Sequence, residues 1–369
     1  MIPVYLQPTD VWLFRDGKPF NAGEDHQADS IFPPLPSVIQ GALRSHYLVA
    51  CNVPLNDQAR IEQTVGTSTH YKDLRLRGPY LRKGDELYFA LPADVYALSE
   101  EDKTSRLRRF KPLDLRLEAI GQSSNPLPAL LYPPENARPQ KFDANRYWVS
   151  QTEMTKYLVN QEFSALNGDS LFMRESRVGI AINYAKSVTE EGALFEANFI
   201  RAGEGVGLHV EMDGLEGWPS SGLMRIGGEG HGARFTSSPL QIDLPGTPLS
   251  MKGGFKVVFI TPAYFCQGWQ PSDWSMHFTG QVKVQTAALQ RNLSAGGYDW
   301  SKPSHSAQKP ALRYVPAGSV YYFESESEVQ LKQPWLCDPA PDSGQLGQVG
   351  YGQILIGQLA KAPEQEKHV

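Results

Sequence analysis

Cysteine is scarce in this chain of 369 residues, and the three that occur, Cys51, Cys266 and Cys337, stand far apart, with no CxxC pair and no histidine cluster beside them. That spacing excludes a disulfide framework and a structural zinc site, and it fits a reducing cytoplasm. Long hydrophobic runs are missing as well. No stretch of about 18 apolar residues occurs, and the N-terminus MIPVYLQPTD lacks the basic region and apolar core of a cleavable signal, so no membrane contact is expected.

Positive charge is in short supply: 35 Lys and Arg face 40 Asp and Glu, for a net charge of −5. A nucleic-acid binder of this composition must work through local basic patches, with its acidity placed elsewhere or against a basic partner. Catalytic signatures are also absent. There is no GxSxG elbow, no GxxxxGK[ST] phosphate loop and no HExxH, and GEGVG at 203–207 falls between strands rather than before a helix. Neither a cofactor nor a metal is expected.

What remains is a hydrophobic share of 41% and a charged share of 20%, the composition of a soluble globular protein. The length favours two domains. The composition resets after IDLPGTPLSMKGG, where FKVVFITPAYF begins a strand much as residues 4–14 do, so the expected division is 1–245 and 246–369. Segments 172–186 and 192–201 read as two strands of a hairpin around Thr189 to Gly192, while QVKVQTAALQ, SVYYFES and QILIGQL read as later strands. The fold class expected is α+β, with long Pro-rich insertions such as 125–140.

The richest segment is Trp12 to Arg44. A first strand ends at the turn Asp16-Gly17, leaving Arg15 and Lys18 at its mouth. Pro33, Pro34 and Pro36 then stiffen the chain, and Ser37 with Gln40 fits a capping box that starts a helix at about Val38. Ser37, Gln40, Gly41 and Arg44 share one polar stripe, and Ile39, Leu43 and Tyr47 face the core. Free N–H groups, the positive end of the helix dipole and the gap at Gly41 suit a phosphate. An ordinary N-capped core helix is the other reading, and the sequence leaves both open.

Three further segments carry candidate chemistry. In 71–92, Leu74 and Leu76 alternate with Arg75 and Arg77, and Arg82 and Lys83 precede the turn Gly84-Asp85, which makes either a basic RNA-gripping hairpin or a solvated one. Between Lys103 and Lys111 stand Arg106, Arg108 and Arg109, a charge run that is either a wet face or a second RNA-binding element. The glycines of GGEGHG at 227–232 make a turn beside Arg234, and GQLGQVGYG at 344–352 is a second glycine-rich loop. His26 lies between the cationic turn and the helix, where a general acid or base would reach a ribose 2′-OH. A metal-independent endoribonuclease is thus the alternative to a binding protein.

The strings FRDGKPF and FPPLPSVIQGALR resemble the N-terminal signature of the RAMP superfamily of CRISPR proteins. Within it they resemble the family of the third subunit (Cmr-three) of the type III-B Cmr effector complex. Segments 175–201, 227–235, 260–269, 316–323 and 350–357 are similar to that family's blocks in the same order. Two positions depart: Gln40 stands where backbone RAMP proteins often carry Lys, and His231 replaces an Arg. The resemblance implies two ferredoxin-like, RRM-like domains and a non-catalytic, cytoplasmic subunit that caps the 5′ repeat-derived tag of the crRNA. It would dock the large polymerase-like subunit and the adjacent backbone RAMP subunit. Its RNA contacts would come from Arg15, Lys18, Ser37, Gln40, Gly41 and Arg44, and from the basic hairpin at Arg75, Arg77, Arg82 and Lys83. Gly228, His231, Arg234, Gly350 and Gly352 of the glycine loops would complete them. A hairpin thumb that wedges into the RNA is expected at 71–92 or at 103–111.

Overall fold

The computed structural model describes residues 1–17, 27–98, 106–114, 126–133, 139–140, 142–183, 188–237, 244, 250–299, 301–303 and 306–359. Among these residues the protein is α+β, built mostly from antiparallel strands with three α-helices.

The strands of the first half that matter here are β1 (Ile2–Pro8), β2 (Arg75–Lys83), β3 (Glu86–Ala90), β4 (Tyr147–Ser150), β5 (Phe172–Asn183), β6 (Val188–Ala202), β7 (Val206–Asp213), β8 (Ser221–Arg225) and β9 (Gly232–Ser237). An eight-stranded sheet runs from Leu166–Asn167 through β4, β3, β2, β7, β1 and β9 to β8. Period-2 alternation sends Val4 and Leu6 of β1 inward and leaves Tyr5 and Gln7 on the outer face. Helix α1 (Pro36–Ala50) connects β1 to β2, and its Ile39 and Leu43 join one core with Val4, Leu6, Val210 and Phe235. The two remaining helices are α2 (Gln58–Val65) and α3 (Gln151–Leu158).

The expected first strand over 4–14 divides in two. β1 ends at Pro8, and residues 12–16 pair instead with Ile200 and with 29–31, Trp12 and Ile200 exchanging backbone hydrogen bonds of 2.9 and 2.8 Å. The expected hairpin at 172–201 is a long ribbon of β5 against β6, with Gln27–Ala28 parallel to β6 near its base. The turn expected at Thr189 to Gly192 is corrected: those residues belong to β6, and 184–187, between the two strands, lie outside the described residues.

The second half contributes β10 (Met251–Phe259), β11 (Lys283–Ala288), β12 (Val320–Val329) and β13 (Ile354–Gln358), in the order β11-β12-β10-β13. That order repeats the centre of the first sheet, β2-β7-β1-β9. In each, the strand that opens the half lies between the two that come last, and every pairing is antiparallel. No described strand of either four is shared between the sheets. The boundary placed near 246 falls outside the described residues.

A buried polar knot joins the halves. The carboxylate of Asp94 accepts from Tyr157 Oη at 2.7 Å and from Tyr322 Oη at 2.5 Å. Lys256, 1% exposed, donates to the Tyr157 carbonyl at 3.1 Å and lies 3.5 Å from the centre of the Tyr157 ring. Burial pulls the Lys256 ammonium down to about 8, and burial first, then the Asp94 charge, pushes the Tyr157 and Tyr322 hydroxyls up. A lysine whose folded-state value is depressed binds fewer protons folded than unfolded once pH exceeds about 8, so stability should rise from there toward pH 10. Tyrosines raised in the fold oppose this above their ordinary value near 10, where the unfolded chain ionises first. Denaturant titrations should show the rise between about pH 8 and 10, and Lys256→Met should flatten it.

Candidate nucleic-acid interface

The cationic turn docks against the second half of the chain. Arg15 bridges to Ser30 through the backbone, and Arg174 Nη1 donates to the Ser30 carbonyl at 2.8 Å. Gly17 lies so close to the strand Leu293–Tyr298 that a Cβ there would meet the Ser294 carbonyl oxygen at 3.2 Å. Ser294 pairs with the exposed Arg313 on Gln308–Val315. Register and packing thus run from Arg174 and Arg15 through Gly17 to Ser294 and Arg313, with the exposed Arg291 just before that strand. The sequence reading missed Arg313 and Arg291. The only available signal was the strand pattern around Arg313, whose cross-strand partner Ser294 meets Gly17 of the other half.

The start of α1 meets the C-terminal glycine-rich loop. The helix begins at Pro36, not Val38, and its N-cap is Leu35, which makes no side-chain bond. The capping box is therefore corrected. Proline fits the first helical position because its missing N–H would be unpaired there, and the expected cap atoms are used elsewhere. Ser37 Oγ accepts from Tyr351 Oη at 2.9 Å, and Gln40 Oε1 accepts from Arg44 at 3.2 Å. Gly350 sits against Pro36 at φ +102°. Tyr351 stacks on Tyr314 at 5.3 Å, and Gln353 binds the Gly78 N–H, the Leu76 carbonyl and the Tyr80 hydroxyl. Gly352, at φ +67°, passes under the Leu336 carbonyl. The glycine-rich loop at 344–352 therefore packs against the first half and covers the helix start.

Arg44 turns inward. Its Nη2 donates to the carbonyls of Gly66 and Thr67 at 2.9 Å each, and its guanidinium lies 5.8 Å from the Tyr71 ring centre. A methyl group added at Gly41 would meet nothing within 4 Å, so the gap expected in the stripe is present. Lys18 and His26 lie outside the described residues.

The segment 71–92 does not project as a free hairpin. β2 is paired on both sides, with β3 and β7, because β7 arrives late in the chain to cover its second edge. Arg75 and Arg77 do face outward, Arg77 reaching Glu211 at 3.5 Å. Arg82 is 7% exposed, lies over the Tyr5 ring at 4.5 Å and donates to the Gly84 carbonyl, whereas Lys83 is exposed. Of the second thumb segment, 103–105 lie outside the described residues. Arg109 binds the carbonyls of Tyr157, Asn160 and Gln161 at the end of α3. The ribbon β5–β6 is the long hairpin instead, anchored near its base where Arg177 and Arg201 clasp Asp10 and Glu175. Those two guanidiniums hold the Glu175 carboxyl down to about 2.

At the far loop, Gly227, Glu229 and Gly230 take positive φ, and Gly228 N–H donates to the Leu13 carbonyl at 2.8 Å. His231 meets the Phe199 ring edge-on at 5.3 Å, while Arg234 is exposed between Gln7 and Leu223. Among the described residues, no group of three or more His, Cys, Asp and Glu side chains is placed to hold a metal, and no helix is long and apolar enough to cross a membrane.

Comparison with known proteins places the chain among the subunits of type III CRISPR effectors. The family model described as CRISPR-associated protein (Cas_Cmr3) matches residues 4–359, and the chain belongs to that family. It is similar to a chain in a structure of the type III-B Cmr-beta bound to cognate target RNA and AMPPnP, at 15% identity, TM-score 0.49, over 87% of this chain and 86% of that one. A second Cmr-beta structure, bound to cognate target RNA, matches at 15% identity and TM-score 0.48, over 87% and 86% of the two chains. A Csm3-Csm4 subcomplex of the type III-A interference complex matches at 12% identity and TM-score 0.37, over 90% of this chain and 99% of that one. No curated protein matches.

Proposed function

We propose that this chain is a non-catalytic subunit that holds the 5′ repeat-derived tag of a crRNA in a type III-B effector. It docks the large polymerase-like subunit and the adjacent backbone RAMP subunit. The observation that carries this reading is the junction at Gly17, which has Arg15 and Arg174 at Ser30 on the first-half side and, on the strand it packs against, Ser294 in register with the exposed Arg313, in an acidic protein. Guanidiniums at a stretch of bare backbone suit the phosphates of a single strand, which position the RNA while aromatic side chains and base edges read it. The repeated strand order supports taking each half as one ferredoxin-like, RRM-like unit. The ribbon β5–β6 takes over the wedge role first expected at 71–92 or 103–111.

Binding of tag RNA to the purified chain should weaken with salt, and Arg15→Ala with Arg313→Ala should lower the slope by about 0.7 per contact, roughly 1.4 together. An unchanged slope in a folded double variant removes the junction from the RNA site. Repeat RNA cut by this chain alone would make it a nuclease. Purification from the native host at gentle salt should bring guide RNAs sharing one 5′ tag together with a polymerase-like protein.

A further inference from the structure

Outside that junction the molecule has a double cavity beside the end of α3. Leu107, Tyr147 and Phe163 help wall a half-open space of about 250 Å³. A second, of about 220 Å³, shares Leu107, Arg108, Glu162 and Phe163 with it and extends to Arg109. Each alone is below the roughly 300–1,000 Å³ of drug-sized ligand sites, so a ligand would have to span both, with a different part in each.

The walls are chemically uneven. Phe163 is set edge-on to Tyr157 at 5.2 Å and Tyr147 edge-on to Phe142 at 5.8 Å, so the aromatic side is braced. On the other side Arg108 Nη1 lies 3.2 Å from Glu162 Oε1, and the Glu162 side chain is 86% exposed. Arg109 is fixed by its bonds to the carbonyls of Tyr157, Asn160 and Gln161, so the second cavity has a stationary cation in its wall.

A planar ring placed against the aromatic side would bring its edge to a guanidinium and a carboxylate together. The guanidinium asks for acceptors and the carboxylate for two adjacent donors. Guanine alone among the four RNA bases offers both, with O6 and N7 for the arginine and N1–H and N2–H₂ for the glutamate. The Arg109 side of the second cavity suits the attached phosphate. We propose that this double cavity binds a guanine nucleotide unit, whether a free nucleotide or a guanosine within single-stranded RNA. The inference does not rest on the crRNA-tag reading.

The test is titration of the full-length protein with GMP, AMP, CMP and UMP, and with an oligo(A) octamer carrying or lacking one central G. GMP should bind about tenfold or more tighter than AMP, the discrimination of one bidentate contact. Glu162→Gln, a change at an exposed side chain, should erase that preference, and Arg108→Ala should weaken binding of GMP. Preference seen with GMP identifies a free-nucleotide site, and preference seen only with the octamer identifies a strand site. Arg15→Ala with Arg313→Ala should leave GMP binding unchanged, so the two proposals fail separately. Equal binding of all four nucleotides and both octamers, or a guanine preference that survives both Glu162→Gln and Arg108→Ala, overturns the inference.

Discussion

Replacing Asp94 with alanine is expected to cost about 3–5 kcal/mol of folding stability, because it leaves Lys256 buried without its opposing charge. The change also strips the acceptor from two buried hydroxyls, Tyr157 and Tyr322, each of which then bears its own desolvation cost. A urea melt should show a lower midpoint with little change in slope. The double variant Asp94→Ala, Lys256→Met should recover part of the loss, since it removes the buried ammonium together with the carboxylate whose charge supports it. A single variant as stable as the parent would mean that Lys256 sheds its proton or reaches water when Asp94 is gone. The Lys256→Met flattening of the pH profile separates those cases.

This knot shows what the sequence could not reveal. Asp94 follows a strand of the first half, Tyr157 lies on a helix, and Lys256 and Tyr322 sit in strands of the second half. Local patterning reads each as an ordinary residue, and only tertiary pairing brings them together. Arg44 teaches the same lesson. Its place on the polar stripe of α1 was legible, but the carbonyls of Gly66 and Thr67 that take up its guanidinium belong to a turn whose path the helix pattern does not encode. Legible features were those set within one element. They include the apolar face of α1 at Ile39 and Leu43, the outward Arg75 and Arg77 against inward Leu74 and Leu76, and the long hairpin near 172–201. The cap at Ser37 failed because Pro36 is a competent first helical residue and Tyr351, from the far end of the chain, claims the hydroxyl.

Gly350 is where the second large effect is expected. Its φ of +102° lies in the region that side chains rarely adopt, and a Cβ there would sit 2.4 Å from the Gly78 carbonyl oxygen and 3.3 Å from Pro36 Cβ. Neither neighbour yields easily, since one is strand backbone and the other is the buried first residue of α1. Alanine therefore cannot relax by moving a flexible tip, and the loop itself has to lift. Lifting it breaks the Tyr351–Ser37 bond, the Tyr351–Tyr314 stack and the Gln353 contacts with Gly78 and Leu76, which together fasten the C-terminal loop to the first half. Gly350→Ala should consequently destabilise the chain by several kcal/mol, more than the ~1 kcal/mol typical of point substitutions. It should also convert one cooperative thermal transition into two as the halves lose their common fastening. Calorimetry reads both effects. A single, unshifted transition would show that the loop at 344–352 is not what couples the two sheets. Gly205→Ala is a matched control, because its φ of +67° carries the backbone strain while nothing lies within 4 Å of the added methyl.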